Sequence, residues 1–132
     1  MKPLKILIVD DSATMRRMVR RVVELSEVAI AEIHEAANGR EALDVIDSTP
    51  VDALFTDINM PVMTGIELLQ HLSTRDAGAK PALRVVISTD GSDARRKEAD
   101  GLDVARYLEK PLRPEVMRDV LSDLANVLDQ RR

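Results

Sequence analysis

Short apolar runs alternate with amphipathic stretches along the whole chain, and this alternation predicts how it folds. Residues 5–9 form a continuous run rich in isoleucine and valine, which is typical of a parallel strand covered on both faces. In residues 12–26 the apolar residues instead recur every three or four positions, with arginines on the other side. This second pattern predicts an amphipathic helix, and the two patterns then repeat in turn to the end of the chain.

Five strands and five helices are predicted in alternation. The further strands are predicted at 31–36, 51–56, 84–88 and 105–108, and the further helices after Asn38-Gly39, from Thr64-Gly65, at 92–101 and at 113–129. Few apolar residues occur in 92–101, so the helix there is expected to pack marginally. Five βα units predict a doubly wound, flavodoxin-like (βα)5 fold, in which helices cover both faces of a five-stranded parallel sheet. Since neither a linker nor a repeat is visible, residues 1–132 are predicted to form a single domain.

Composition places the chain among soluble globular proteins, since hydrophobic residues make up 45% and charged residues 32% of its 132 residues. The net charge of −4 argues against a nucleic-acid-binding domain, which usually carries a basic surplus. The chain has no cysteine, and its apolar run at 6–9 is too short, and too soon followed by acids, for a signal peptide or a membrane span. We therefore expect a cytoplasmic protein without a membrane or nucleic-acid partner.

Polar residues stand where the predicted strands end. Asp10 and Asp11 follow the first strand, Asp57 the third and Lys110 the fifth, while Ser88 ends the fourth. In a doubly wound sheet, ligands bind beyond the carboxyl ends of the strands. Each residue alone has an ordinary interpretation, as a helix cap, a turn residue, a satisfied hydroxyl or a surface charge. Their joint placement at one edge of the sheet is what predicts a site.

The three carboxylates of this predicted site need a balancing charge. A pair of like charges about 4 Å apart costs about 4 kcal/mol at an effective dielectric constant near 20, so either one acid is protonated or a cation binds. An all-oxygen site suits Mg²⁺, with Mn²⁺ as the alternative, and His34 and His71 fall on other elements. A hard divalent cation beside a lysine and a hydroxyl is suited to phosphoryl transfer onto a carboxylate nucleophile.

Four segments carry a resemblance to a known family. They are Ile8-Val9-Asp10-Asp11-Ser12, Asp57-Ile58-Asn59-Met60-Pro61 with Gly65, Ser88, and Tyr107-Leu108-Glu109-Lys110-Pro111. In this order and with these gaps, they resemble the receiver domain of bacterial two-component response regulators, most closely its stand-alone chemotaxis (CheY-like) type. The resemblance covers essentially the whole chain.

The resemblance implies a role for each matching residue. Asp57 would be the phospho-acceptor. Asp11 would bind Mg²⁺ directly, Asp10 mostly through water and Asn59 through its backbone carbonyl. Lys110 and Ser88 would contact the phosphoryl group, Tyr107 would change rotamer as Ser88 moves, and the Lys110-Pro111 peptide bond would be cis. Two positions depart from the family pattern. Thr89 stands where the family usually has alanine or glycine and can narrow access to Asp57, and Asp103-Val104 replaces a Gly-Ala pair before the fifth strand.

The resemblance also implies a phosphorelay switch rather than an enzyme that turns over small substrates. The donor would be a phosphohistidine on a sensor histidine kinase or a histidine phosphotransfer protein, to which the first helix could present Ala13, Met15 and its arginines. A solvated helix face is the simpler interpretation of those arginines. An output partner would bind the face formed by the helix at 92–101, the fifth strand and the last helix. The cognate kinase, the output partner, the process, the phosphoryl lifetime and the oligomeric state stay open, as does whether the chain is an excised N-terminal domain.

Other function classes fit the sequence less well. A magnesium-dependent phosphohydrolase of the haloacid-dehalogenase type needs Asp-x-Asp after the first strand, whereas this chain has Asp10-Asp11 there, and Asp57 is followed by Ile58-Asn59. A pseudo-receiver with a vestigial site would lack some of the site residues, and all of them are present. A nucleotide-binding protein would need a glycine-rich phosphate loop, whereas Asn38-Gly39 is only a turn.

Overall fold

The computed structural model describes residues 3–88, 101–102 and 104–130. The strands are β1 (Leu4–Val9), β2 (Ile30–Ala36), β3 (Ala53–Thr56), β4 (Leu83–Ser88) and β5 (Arg106–Glu109). The helices are α1 (Ala13–Leu25), α2 (Gly39–Ser48), α3 (Gly65–Ser73) and α4 (Pro114–Gln130), and a 3₁₀ turn lies at Ala77–Ala79. Apart from Gly101, the helix predicted at 92–101 lies outside the described residues, and so do Thr89 and Asp103.

The five strands form one parallel sheet in the order β2-β1-β3-β4-β5. The predicted fold class, a doubly wound parallel sheet of flavodoxin type, is confirmed. Because β1 lies next to both β2 and β3, its carboxyl end is the point at which the strand order reverses. In such sheets this is the point where ligands bind.

Two apolar clusters, one on each face of the sheet, form the core. Ile8 and Phe55 belong to the cluster that includes buried residues of α1 and α4, whereas Val9 and Leu54 belong to the cluster that includes buried residues of α2 and α3. Successive residues of β1 and β3 therefore point to opposite faces, and both faces are buried. This is why the sequence of these strands is continuously apolar rather than alternating.

Strand β3 begins later than predicted. The run 51–56 predicted a strand from its first residue, but β3 starts at Ala53. The Asp52 carboxylate accepts a hydrogen bond from the Lys5 backbone N–H at 2.8 Å, and the Asp52 backbone N–H donates to the Lys5 carbonyl at 2.8 Å. At this end of β3 the Asp52 side chain thus accepts the hydrogen bond of the Lys5 N–H that a backbone carbonyl would accept in a regular strand pair.

The helix that follows β1 begins at a side-chain cap. Ser12 has an extended backbone, and its hydroxyl accepts a hydrogen bond from the Met15 backbone N–H at 3.2 Å. This cap ends the acidic loop immediately after Asp11 and fixes where α1 starts. No helix in the described part of the chain is both long enough and apolar enough to span a membrane.

Candidate functional site

The carboxyl ends of β1 and β3 bring three aspartates together. Val9 pairs with Thr56 in the sheet, and the Asp57 backbone N–H donates to the Val9 carbonyl at 2.9 Å, so the residues after the two strands lie side by side. One carboxylate oxygen from each of Asp10, Asp11 and Asp57 lies within 4.8 Å of the others. Asp10 is buried, Asp57 is partly buried and Asp11 is exposed, so the cluster opens to solvent on the side of Asp11. The convergence predicted from the sequence is confirmed for these three residues.

Lys110 brings a positive charge from β5 into the same cluster. Its Nζ atom lies 3.0 Å from Oδ2 of Asp10 and 3.6 Å from Oδ2 of Asp57. The three side chains are only 10%, 5% and 15% exposed, respectively, so the ion pairs are poorly screened by solvent. The backbone N–H of Lys110 donates to the Ser88 carbonyl at 3.0 Å, which fixes the lysine relative to β4. The Lys110-Pro111 peptide bond is cis, as the resemblance implied.

Ser88 and Tyr107 lie on one face of neighbouring strands. Tyr107 pairs with Val86 in the sheet, and Ser88 follows Val86 by two residues, so the side chains of Ser88 and Tyr107 point to the same side. Ser88 is buried, and the half-buried Tyr107 packs against the cluster that includes α2 and α3. Asn59 is exposed in the loop after β3. Ser88 and Tyr107 thus share a face of the sheet, and this is what the structure shows of the two residues.

Backbone N–H groups orient two of the carboxylates. The Ser12 N–H donates to Oδ1 of Asp10 at 2.9 Å, and the Ile58 N–H donates to Oδ1 of Asp57 at 2.7 Å. In each aspartate the other oxygen, Oδ2, is the one that faces Lys110. The loops thus set the direction of both acids before any ligand binds.

The loop after Asp57 contains a strained turn that the sequence analysis missed. Val62 has a positive φ of 67°, and the Met63 N–H donates to the Pro61 carbonyl at 2.7 Å, so the three residues form a γ-turn. A β-branched residue rarely adopts this conformation, and nothing in the sequence signals it here. The Val62 side chain is 81% exposed, so packing of its side chain does not compensate for the strain.

The environment of Asp57 raises the pKa of its carboxyl group. The largest cause is burial, which disfavours the charged form. The Ile58 N–H and the Lys110 ammonium oppose this effect and lower the pKa, and the neighbouring charge of Asp10 raises it further. Ionised Asp57 is therefore destabilised in the absence of a bound cation.

We expect the protein without divalent cations to lose stability as the pH rises from the ordinary pKa of an aspartate to the raised pKa of Asp57. Within that window the folded state still holds a proton that the unfolded state has released. Asp57→Asn is neutral at every pH, so it should be more stable than the wild type near neutrality and lose this advantage in acid. Urea unfolding of both proteins across pH measures the difference; an advantage that grew toward acid pH would contradict the prediction.

The residues at this edge of the sheet fit a hard divalent cation. Their ligand atoms are carboxylate oxygens, which Mg²⁺ and Mn²⁺ prefer, and among the described residues the ammonium group of Lys110 balances only part of their mutual repulsion. The cluster of Asp10, Asp11 and Asp57 could therefore hold a metal ion. A partly buried carboxylate next to a lysine and a metal is also suited to act as a nucleophile toward phosphorus.

Comparison with known proteins agrees with this geometry. The family model for the response regulator receiver domain matches residues 6–122. The chain is 34% identical over 119 residues to the chemotaxis protein CheY1 of Helicobacter pylori (89% of this chain, 94% of that protein), and 33% identical over 122 residues to a chemotaxis protein CheY homolog of Campylobacter jejuni (92% of each). The solved structure of the chemotaxis response regulator CheY4 of Vibrio cholerae is similar with a TM-score of 0.78 and 30% identity, covering 93% of this chain and 99% of that one. The chain therefore belongs to the response regulator receiver domain family, whose general role is phosphorylation-dependent signalling.

Proposed function

We propose that the protein is a phosphorylation-activated switch that accepts a phosphoryl group from a phosphohistidine donor onto Asp57 in a Mg²⁺-dependent reaction. The observation that carries the proposal is the position of the Asp57 carboxylate, 3.6 Å from the Lys110 ammonium and next to Asp10 and Asp11. Asp10, Asp11 and Asp57 would hold the ion together with the backbone carbonyl of Asn59. Bound Mg²⁺ neutralises the negative charge of phosphoryl oxygens.

In the proposed reaction a carboxylate oxygen of Asp57 attacks the phosphorus atom of the donor. The new O–P bond forms as the P–N bond to the donor imidazole breaks, and the electron pair of that bond stays on the nitrogen. Lys110 stabilises the charge on a phosphoryl oxygen, because its ammonium group already lies beside the attacking acid. The Ile58 N–H keeps the carboxylate oriented throughout.

The conformational change would begin at Asp57, continue to Ser88 and end at Tyr107. An acyl phosphate adds roughly one negative charge and new acceptor oxygens, which can draw the Ser88 hydroxyl toward the phosphoryl group. Tyr107 would then change rotamer into the space that Ser88 leaves, which is consistent with the placement of both side chains on one face of β4 and β5. Thr89, outside the described residues, is proposed to limit access to Asp57.

Partners follow from this chemistry. The donor is proposed to be a sensor histidine kinase or a histidine phosphotransfer protein in the cytoplasm, and the output partner to bind the face of β5, α4 and residues 92–101, of which only Gly101 is described. Residues 1–132 are proposed to act as a single receiver domain, that is, as a signalling switch rather than as an enzyme for small substrates.

The test is to incubate the protein with acetyl phosphate and Mg²⁺ and to measure its intact mass. We expect one phosphoryl group per chain, no labelling when EDTA removes the metal, and a label that borohydride reduction maps to the peptide containing Asp57. Labelling that is independent of the metal, or that maps to a different acidic residue, would contradict the proposal.

Substitutions of Asp11 and Lys110 should affect metal binding and the response to phosphorylation separately. We expect Asp11→Ala to weaken Mg²⁺ binding by about 100-fold or more, because the cluster loses a proposed direct ligand and even the loss of an indirect partner costs about 10–100-fold. Lys110→Ala should bind Mg²⁺ at least as well as the wild type, since it removes a competing cation 3.0 Å from Asp10, yet show no conformational response to beryllofluoride. Mg²⁺ and beryllofluoride titrations followed by backbone NMR measure both effects. Unchanged Mg²⁺ affinity in Asp11→Ala would show that the assignment of this ligand is wrong.

A further inference from the structure

Arg16 joins the acidic loop to two other elements of the fold. Its Nη1 atom donates to the backbone carbonyl of Asp10 at 2.6 Å, and its Nε atom donates to Oε1 of Glu35, on β2, at 3.0 Å. The Arg16 side chain is only 18% exposed, although a solvated helix face was the simpler interpretation of its sequence. A residue of α1 thus ties the peptide between Asp10 and Asp11 to the edge strand of the sheet.

Glu35 holds the guanidinium group of Arg16 in place. Its second oxygen, Oε2, accepts from Arg20 at 3.1 Å, and Arg20 also donates to the Ile33 carbonyl at 3.1 Å. Both carboxylate oxygens of Glu35 are therefore used, and neither arginine can turn away without breaking a second bond. Planar guanidinium groups suit this double attachment, because each presents several donors in fixed directions.

We propose that Arg16 is a positioning residue for the metal-binding aspartates, acting through the Asp10 carbonyl and anchored by Glu35. The inference rests on the proposed function, because it concerns the affinity of the site for Mg²⁺. Two effects of Arg16 oppose each other: its positive charge repels a cation, whereas its hydrogen bond fixes the carboxylates that bind one. The carboxylate of Glu35, which it shares with Arg20, offsets part of that charge, whereas the hydrogen bond acts directly on the peptide between the two aspartates, so the positioning effect outweighs the repulsion.

The experiment compares Mg²⁺ affinity in variants of Arg16 that remove its two hydrogen bonds with or without its positive charge. Arg16→Gln removes both, whereas Arg16→Lys keeps the charge but cannot donate from two nitrogens at once. Arg17→Gln is the matched control, because it removes the same charge from the next, exposed position of α1. We expect the dissociation constant for Mg²⁺, measured by calorimetry, to rise about tenfold in both Arg16 variants and to stay within about twofold of the wild type in Arg17→Gln.

The outcomes distinguish the possible failures. Tighter Mg²⁺ binding in Arg16→Gln together with wild-type affinity in Arg16→Lys would show that only the charge of Arg16 matters. Wild-type affinity in both variants would show that Arg16 does not position the site. Either result overturns the inference. If Arg16→Gln does not fold, Arg16→Lys compared with Arg17→Gln still provides the test, because Arg16→Lys keeps the charge and removes only the double hydrogen bond; wild-type affinity in Arg16→Lys would then overturn the inference. Failure of the wild type to bind Mg²⁺ would overturn the proposed function itself.

Discussion

We expect Asp57→Asn to take up no phosphoryl group from acetyl phosphate and Mg²⁺ under conditions in which the wild type takes up one per chain. The amide of asparagine is a poor nucleophile toward phosphorus, and the substitution removes one of the three carboxylates that would hold the metal. Of the two acids beside Lys110, Asp57 is the more exposed, since Asp10 is 5% and Asp57 15% exposed, so we expect the donor to reach Asp57 and not Asp10. Intact mass spectrometry gives the result directly.

The matched control is Asp47→Asn, which neutralises an acid on α2 that pairs with Arg75 at 2.6 Å rather than with Lys110. This variant should be labelled like the wild type. A label that persists in Asp57→Asn would show that another residue is the acceptor, and loss of labelling in both variants would show that the effect is not specific to the site.

The sequence predicts the sheet and the location of the site because both depend on local patterns. Strand β1 is buried on both faces, so its residues are continuously apolar and easily recognised. Parallel strands end at one edge, so Asp10 and Asp57, which directly follow β1 and β3, were expected at the same edge, and the pairing of β1 with β3 makes them neighbours. The position of Lys110 follows in the same way from β5.

The remaining features depend on contacts between distant residues, which no local pattern encodes. The Arg16 side chain that donates to the Asp10 carbonyl is also bound by Glu35, which the sheet places beside α1 although it lies 19 residues further along the chain. The positive φ of Val62 contradicts the preference of its own side chain. In both cases the tertiary structure fixes a conformation for which the local sequence gives no signal.

We expect Gly65→Ala to destabilise the protein by about 3 kcal/mol or more, the largest stability effect among these predictions. Gly65 begins α3, its N–H donates to the Ile58 carbonyl at 2.8 Å, and a Cβ atom there would lie 2.0 Å from the backbone oxygen of Asp57. Since φ of Gly65 is not positive, the requirement for glycine is steric. The clashing atoms belong to the backbone and cannot move away as a flexible side chain would. Urea unfolding of the wild type and the variant measures the loss.

Gly78→Ala provides the control, because a Cβ atom at this position would meet no atom within 4 Å beyond its own residue and its two chain neighbours. Its stability should stay within about 0.5 kcal/mol of the wild type. If the loop instead accommodates the new methyl group of Gly65→Ala by moving, the peptide of Asp57 must shift, and the variant should lose affinity for Mg²⁺ in place of stability. Wild-type stability together with wild-type Mg²⁺ affinity in Gly65→Ala would therefore mean that α3 does not approach Asp57 as closely as the structure shows.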